Sequence, residues 1–154
     1  MSQFVSKDIE FKHLEQKGSD TALVFFGFKG CSNVCPVTLS EFATMLEGWP
    51  SKDSQPHVLF VDIDANSSDE EASYYAKQFH SAIKGVHVNS EQLALYSFDF
   101  GLQIKQSDTQ ISHIGKTYLL RRFEEQWKIV RAYQPSNFSH DSLHRYLTTH
   151  NNDI

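Results

Sequence analysis

The chain has 154 residues, 40% of them apolar and 13% aromatic, and a net charge of −5 at neutral pH. That is one domain with room for a proper hydrophobic core, and the composition excludes a disordered chain. An acidic balance with no basic patch excludes nucleic acid as a partner, and no run approaches the ~20 apolar residues that span a bilayer or resembles a signal peptide.

Residues 1–19 are mixed and polar, with Phe4, Val5, Ile9, Phe11 and Leu14 scattered among charges. They predict a short strand or hairpin remnant, then a turn at Lys17-Gly18-Ser19-Asp20. The first core strand is 21–28, where Ala22-Leu23-Val24-Phe25-Phe26 is the continuous apolar run of a buried strand. A helix over about 36–48 follows, because Leu39, Phe42, Ala43 and Leu46 recur at helical spacing and Gly48-Trp49-Pro50 ends the pattern.

Between that strand and that helix lies Gly27-Phe28-Lys29-Gly30-Cys31-Ser32-Asn33-Val34-Cys35-Pro36, which holds both cysteines of the protein. Pro36 suits the first helical turn, where no backbone donor is needed. The cysteines therefore sit on a strand-to-helix corner, where orphan N–H groups and the positive helix end favour thiolate over thiol. Their i, i+4 spacing puts both sulfurs on one side, close enough for a disulfide or a shared metal. A disulfide here would close a very small loop and gain little unfolded-state entropy, so redox or metal chemistry explains the pair better than stapling. A pair of buried structural thiols is the plain alternative. The corner tops a buried strand, where α/β proteins place their chemistry.

Residues 51–56 read as a polar linker, and His57-Val58-Leu59-Phe60-Val61-Asp62-Ile63-Asp64 as a second strand buried on both faces. Asp62 and Asp64 are expected on opposite faces of it. Ser68 with Glu71 forms a capping box for a helix that carries Ala72, Tyr75, Ala76 and Phe79 inward to about residue 82. Tyr74, Tyr75, Phe98 and Phe100 are expected in the core. Val86-His87-Val88 reads as a short third strand, and Glu91 to about Gly101 as a helix with Leu93, Tyr96 and Phe100 inward. Residues 102–115 form a long polar connection of a kind that is uncommon and often functional. Thr117–Phe123 and Trp127–Tyr133 predict an antiparallel hairpin around Glu124-Glu125-Gln126, and Ser139 caps a last helix to about Thr149. Strand–helix–strand–helix, then a hairpin and a helix, is the order of an α/β thioredoxin-like fold, with a central mixed β-sheet flanked by helices.

Phe25-Phe26-Gly27-Phe28, then Cys31-x-x-x-Cys35-Pro36, then Thr38-Leu39, resembles the signature of the Sco/SenC proteins. These are thioredoxin-like copper-binding proteins of cytochrome c oxidase assembly. The resemblance runs from about residue 20 to the C-terminus. It implies Cys31, Cys35 and His113 as the metal ligands, and Asp64 matches the family's Asp after its second strand. Three departures surround these positions: Ala65 stands where the family has Pro, Ser32-Asn33 where it has Pro-Asp, and Ser112-His113-Ile114 where it has Asp-His-Ser.

What the resemblance implies is one copper ion per chain, Cu(I) or Cu(II), held by two thiolates and one imidazole. Soft sulfur suits Cu(I), and three ligands leave a position open for handover. The same set could hold Zn(II) with a water as fourth ligand. A buried or hydrogen-bonded structural role is the alternative for His113. Asp64 is a candidate neighbour of the site, as an outer hydrogen-bonding or docking group, or a strand-end cap. His140 and His144 are i, i+4 and read as solvated surface residues, as does His150, whereas His13, His57, His80 and His87 have no cysteine or carboxylate at ligand spacing.

The expected function is delivery of copper to a cuproprotein client such as a cytochrome c oxidase subunit, or reduction of that client's cysteines, with a thiol reductant as second partner. The alternatives are a metal-free thiol–disulfide oxidoreductase or thioredoxin-like peroxidase in which Cys31 attacks and Cys35 resolves, and a domain that only binds a partner. The resemblance further implies a place in the periplasm or an anchor facing it, the anchor being either outside this sequence or lacking in this member, and a monomer is expected.

Overall fold

The computed structural model describes residues 2–9, 14, 19–27, 34–49, 55–64, 66–100, 105–106, 111–112 and 117–133. At its centre is β2 (Thr21–Gly27), whose seven residues are all buried. An apolar strand covered on both faces belongs in the middle of a sheet, and β2 lies between β7 (Thr117–Phe123) and β3 (His57–Asp62) in the order β1-β8-β7-β2-β3-β4. β2 runs parallel to β3, and β3 parallel to β4 (Ile83–His87), while β7, β8 (Gln126–Tyr133) and β1 (Ser2–Ile9) pair antiparallel on the other side.

Parallel neighbours need crossovers, and successive right-handed crossovers in one direction put their helices on one face. Here these are α1 (Val34–Glu47) and α2 (Asp69–Lys77). Leu39, Phe42, Met45 and Leu46 of α1 and Ala72 and Ala76 of α2 share one core with Leu23, Phe25, Val58 and Phe60. The opposite core holds Val24, Phe26, Leu59, Val61 and Ile63 with Leu93 and Tyr96 of α3 (Ser90–Phe100). The mixed sheet with helices on both faces is the thioredoxin-like architecture expected from the patterning.

Several elements differ from expectation. The N-terminal strand is eight residues long, and its pairing with β8 makes it the sixth strand of the sheet. The third strand begins three residues earlier than expected, and α2 ends at Lys77. Within the 102–115 connection, β5 (Lys105–Gln106) and β6 (Ile111–Ser112) form a two-residue antiparallel ladder. Tyr74 is 73% exposed, because it stands opposite the Ala72–Ala76 stripe that α2 buries. Among the described residues no helix is long and apolar enough to cross a membrane. The expected C-terminal helix from Ser139 lies outside the described residues.

Candidate metal and redox site

The C-terminal ends of β2, β3 and β4 meet in one row, because the parallel register pairs Gly27 with Asp62 and Asp62 with His87. The ladder runs one step further, with the Ile63 N–H donating to the Gly27 carbonyl at 2.9 Å and the Val88 N–H to the Asp62 carbonyl at 3.1 Å. α1 starts at the same end with Val34, so Cys35 is its second residue and Pro36 its third. Proline fits there because the first turn has no intrahelical use for its missing donor. Val37, next along, is 63% exposed.

Cys31, His113 and the side chain of Cys35 lie outside the described residues. β6 ends at Ser112, so its pairing with β5 ties down the residue immediately before His113. Among the described residues no group of three His, Cys, Asp or Glu side chains is placed to hold a metal ion.

Asp64 and Asp62 form a knot at the row. Asp62 is wholly buried, and its Oδ1 accepts the Asp64 N–H at 3.0 Å while Oδ2 accepts the Ser67 hydroxyl at 2.5 Å. Burial pushes the Asp62 carboxyl above the ordinary carboxylate range, opposed by those two hydrogen bonds and by His87, and reinforced by Asp64. Asp64 is half-buried, accepts the Asn66 N–H on Oδ1 at 2.9 Å and offers its carbonyl to His87 Nε2 at 2.8 Å. A carbonyl only accepts, so His87 carries its proton on Nε2. The His87 N–H in turn donates to Asp69 Oδ1 at 2.7 Å.

The placement of Asp62 and Asp64 on opposite faces is wrong. Residues two apart on a strand share a face, and β3 ends at Asp62, so Asp64 belongs to the turn that follows. His87 and His80, which have no cysteine or carboxylate at ligand spacing in the sequence, find partners through the fold: the Asp64 carbonyl for the His87 ring and Glu47 for His80. His80 Nε2 lies 3.1 Å from Glu47 Oε1, and its Nδ1 accepts the Ala82 N–H. Sequence reasoning treats Asp62 and His87 separately and gives Ser67 no role, because only the β3–β4 register and the turn after β3 bring the three together. The one available signal was an Asp closing an otherwise apolar strand.

The SCO1/SenC family model matches residues 7–149. The chain belongs to the SCO1/SenC family. Among Sco structures, it resembles that of the apo Sco1 protein of Thermus thermophilus, with 26% identity and a TM-score of 0.71 over 96% of this chain and 89% of that one. It also resembles that of Arabidopsis thaliana ScoI with copper bound, whose 17% identity and TM-score of 0.77 over 98% of this chain and 99% of that one show a shared fold. A putative copper-binding protein of Stutzerimonas stutzeri is 28% identical over 105 residues, 64% of this chain and 52% of that protein. The chain thus spans about half the length of that curated relative.

Proposed function

We propose that this Sco domain binds one copper ion through Cys31, Cys35 and His113 and passes it to the copper site of a client such as a cytochrome c oxidase subunit. The carrying observation is the position of Cys35 in the first turn of α1, above the buried parallel strands, in a chain whose family model covers Cys31 and His113 as well. Backbone N–H groups at that helix start favour the thiolate that a metal needs. Two thiolates and an imidazole suit Cu(I), and the imidazole extends the set to Cu(II). Copper is here a cargo, and three protein ligands leave room for a client's ligand to enter. The names of the relatives, a copper-binding protein and a ScoI with copper bound, support that cargo. Work outside the cytoplasm, where such clients are assembled, belongs to the same proposal.

The same two cysteines can reduce a client's disulfide, with an external thiol restoring them, and the position of Cys35 in the first turn of α1 supports that second reading as well. Anaerobic titration of the reduced protein with Cu(I) against a competing chelator tests the first: one ion per chain is expected. Replacing His113 with Ala should weaken Cu(II) strongly and Cu(I) less, because two thiolates still hold Cu(I) in linear fashion. Equal Cu(II) binding by wild type and His113→Ala would exclude the three-ligand site. Air oxidation should join Cys31 to Cys35 and abolish copper binding, since both ligands are consumed. Alkylation and mass spectrometry read that bond.

A further inference from the structure

We infer that the outer edge of β4 is a docking groove for an extended segment of a partner protein with an arginine at its centre. The groove is a cavity of about 660 Å³, with Glu70, Ser73 and Tyr74 of α2 on one wall and Lys84, Gly85 and Val86 along the strand. It exists because α2 packs directly over β4, the outermost strand of the sheet. The Ala72 carbonyl of α2 stands where a Cβ of Gly85 would be, and the residues just after it on the helix line the open edge. Tyr74 is one of these, and it is 73% exposed.

The floor of the groove offers hydrogen bonds. In a ladder, alternate residues of a strand turn their N–H and C=O towards the neighbouring strand. The Val88 N–H goes to the Asp62 carbonyl at the end of β3, so Lys84 and Val86, in step with Val88, face β3 as well. Ile83, Gly85 and His87 therefore turn theirs out of the sheet. Both ends of this row are occupied: the Ile83 N–H donates to the His80 carbonyl, the Ile83 carbonyl accepts from Lys77, and the His87 N–H donates to Asp69. Between them, the N–H and C=O of the buried Gly85 make no hydrogen bond among the described residues. A buried backbone donor and acceptor left unmatched cost free energy, and an extended segment laid along the edge would match both. Because the ends are occupied, that segment pairs through a single residue, which exchanges both bonds with Gly85.

The walls name that residue. Residues directly opposite in a ladder project to the same face, and the face of Gly85 is the one α2 covers. The incoming side chain thus enters beside Glu70 and Tyr74, both exposed. A guanidinium there stacks on the ring and pairs with the carboxylate, and its planar fork can do both at once where an ammonium cannot. Asp69, on the same wall, adds to the negative field. The residues flanking the arginine project to the opposite face, past the exposed Lys84, whose charge favours acidic side chains. Neither outer strand of a second copy, β4 or β1, carries an arginine, so self-pairing of edges does not supply the match.

The test titrates the isotope-labelled whole chain with the capped peptide acetyl-Thr-Glu-Arg-Glu-Thr-amide, a sequence that reads alike in either strand direction, and follows the Gly85 amide by NMR. That amide should move downfield and exchange more slowly with water as the peptide binds. Methylating the peptide's arginine nitrogen removes the donor to Gly85 and should abolish the shift, and so should replacing the arginine with glutamate. Tyr74→Ala and Glu70→Gln alter only exposed side chains, and each should weaken binding about fivefold, the size of a cation–π contact or charge pair at an exposed site. An unmoved Gly85 amide overturns the inference, as does equal binding of the methylated or glutamate peptide. A Gly85 shift that grows with protein concentration in the absence of peptide overturns it too, since a second copy would then be the occupant.

Discussion

Folding carries the Asp62 carboxyl out of water and gives it two donors, the Asp64 N–H and the Ser67 hydroxyl. Burial still dominates and raises its pKa above the unfolded value. Between the ordinary carboxylate pKa and that raised value the folded state holds more proton than the unfolded one, so stability falls as pH rises through the window. Above it, the cost of the buried charge is present in full. Asp62→Asn removes the charge and keeps the shape. Thermal melts should show the variant more stable than wild type at pH 8, with the gain shrinking towards pH 4. An equal gain at both pH values would mean that ionisation plays no part. His80 is arranged differently: its Nδ1 accepts the Ala82 N–H, so its proton sits on Nε2, facing Glu47.

Two elements are held by backbone geometry at single residues. The β7–β8 hairpin closes through Glu124 and Glu125, with φ of 50° and 72°. Two left-handed residues match the twist of the flanking strands, but the turn is usually built from Asn-Gly. Installing that dipeptide, by Glu124→Asn together with Glu125→Gly, should add about 1 kcal/mol by relieving left-handed strain; a raised urea midpoint at constant slope would show it. At β4 the demand is the reverse. A Cβ on Gly85 would meet the Ala72 carbonyl oxygen of α2 within bonding range, and backbone cannot step aside as a side chain can. Gly85→Ala should cost about 3 kcal/mol, the upper part of the overpacking range, read from the same urea transition. β4 is also an outer strand whose edge is blunted: the Ile83 N–H goes to the His80 carbonyl, the His87 N–H to Asp69, and Lys77 Nζ reaches the Ile83 carbonyl at 3.5 Å. These contacts withdraw backbone groups that could pair with another chain.

Across the whole molecule, the position of the cysteine corner depends on how α1 seats on the sheet. Phe42 of α1 is fully buried and meets Phe25 edge-on at 6.3 Å between ring centroids, and Phe25 stacks with Phe60 at 6.4 Å. Phe60 continues to Tyr75 of α2 at 5.4 Å, so the rings link both helices to the central strands. Phe42→Ala should cost about 4 kcal/mol in stability, as expected for a large ring removed from a packed core. It should also speed alkylation of Cys35 in the native state, because the helix carrying that residue loses its main anchor. Chemical unfolding gives the first quantity and mass-spectrometric alkylation rates the second.

What the sequence determined by itself was local. The apolar run Ala22–Phe26, the stripe Leu39, Phe42 and Leu46, and the Ser68–Glu71 cap each carry their own physics within a few residues, and each became the expected element. The family signature around Cys31 and Cys35 is equally local, which is why membership was legible. Tertiary structure decided the rest. β1 is too polar to announce a full strand, and only pairing with β8 makes it one. Gly27, Asp62 and His87 come from three strands far apart in the chain, and they form one row because long-range hydrogen bonds set the parallel register. Register is a property of the assembled sheet, and no window of neighbouring residues encodes it.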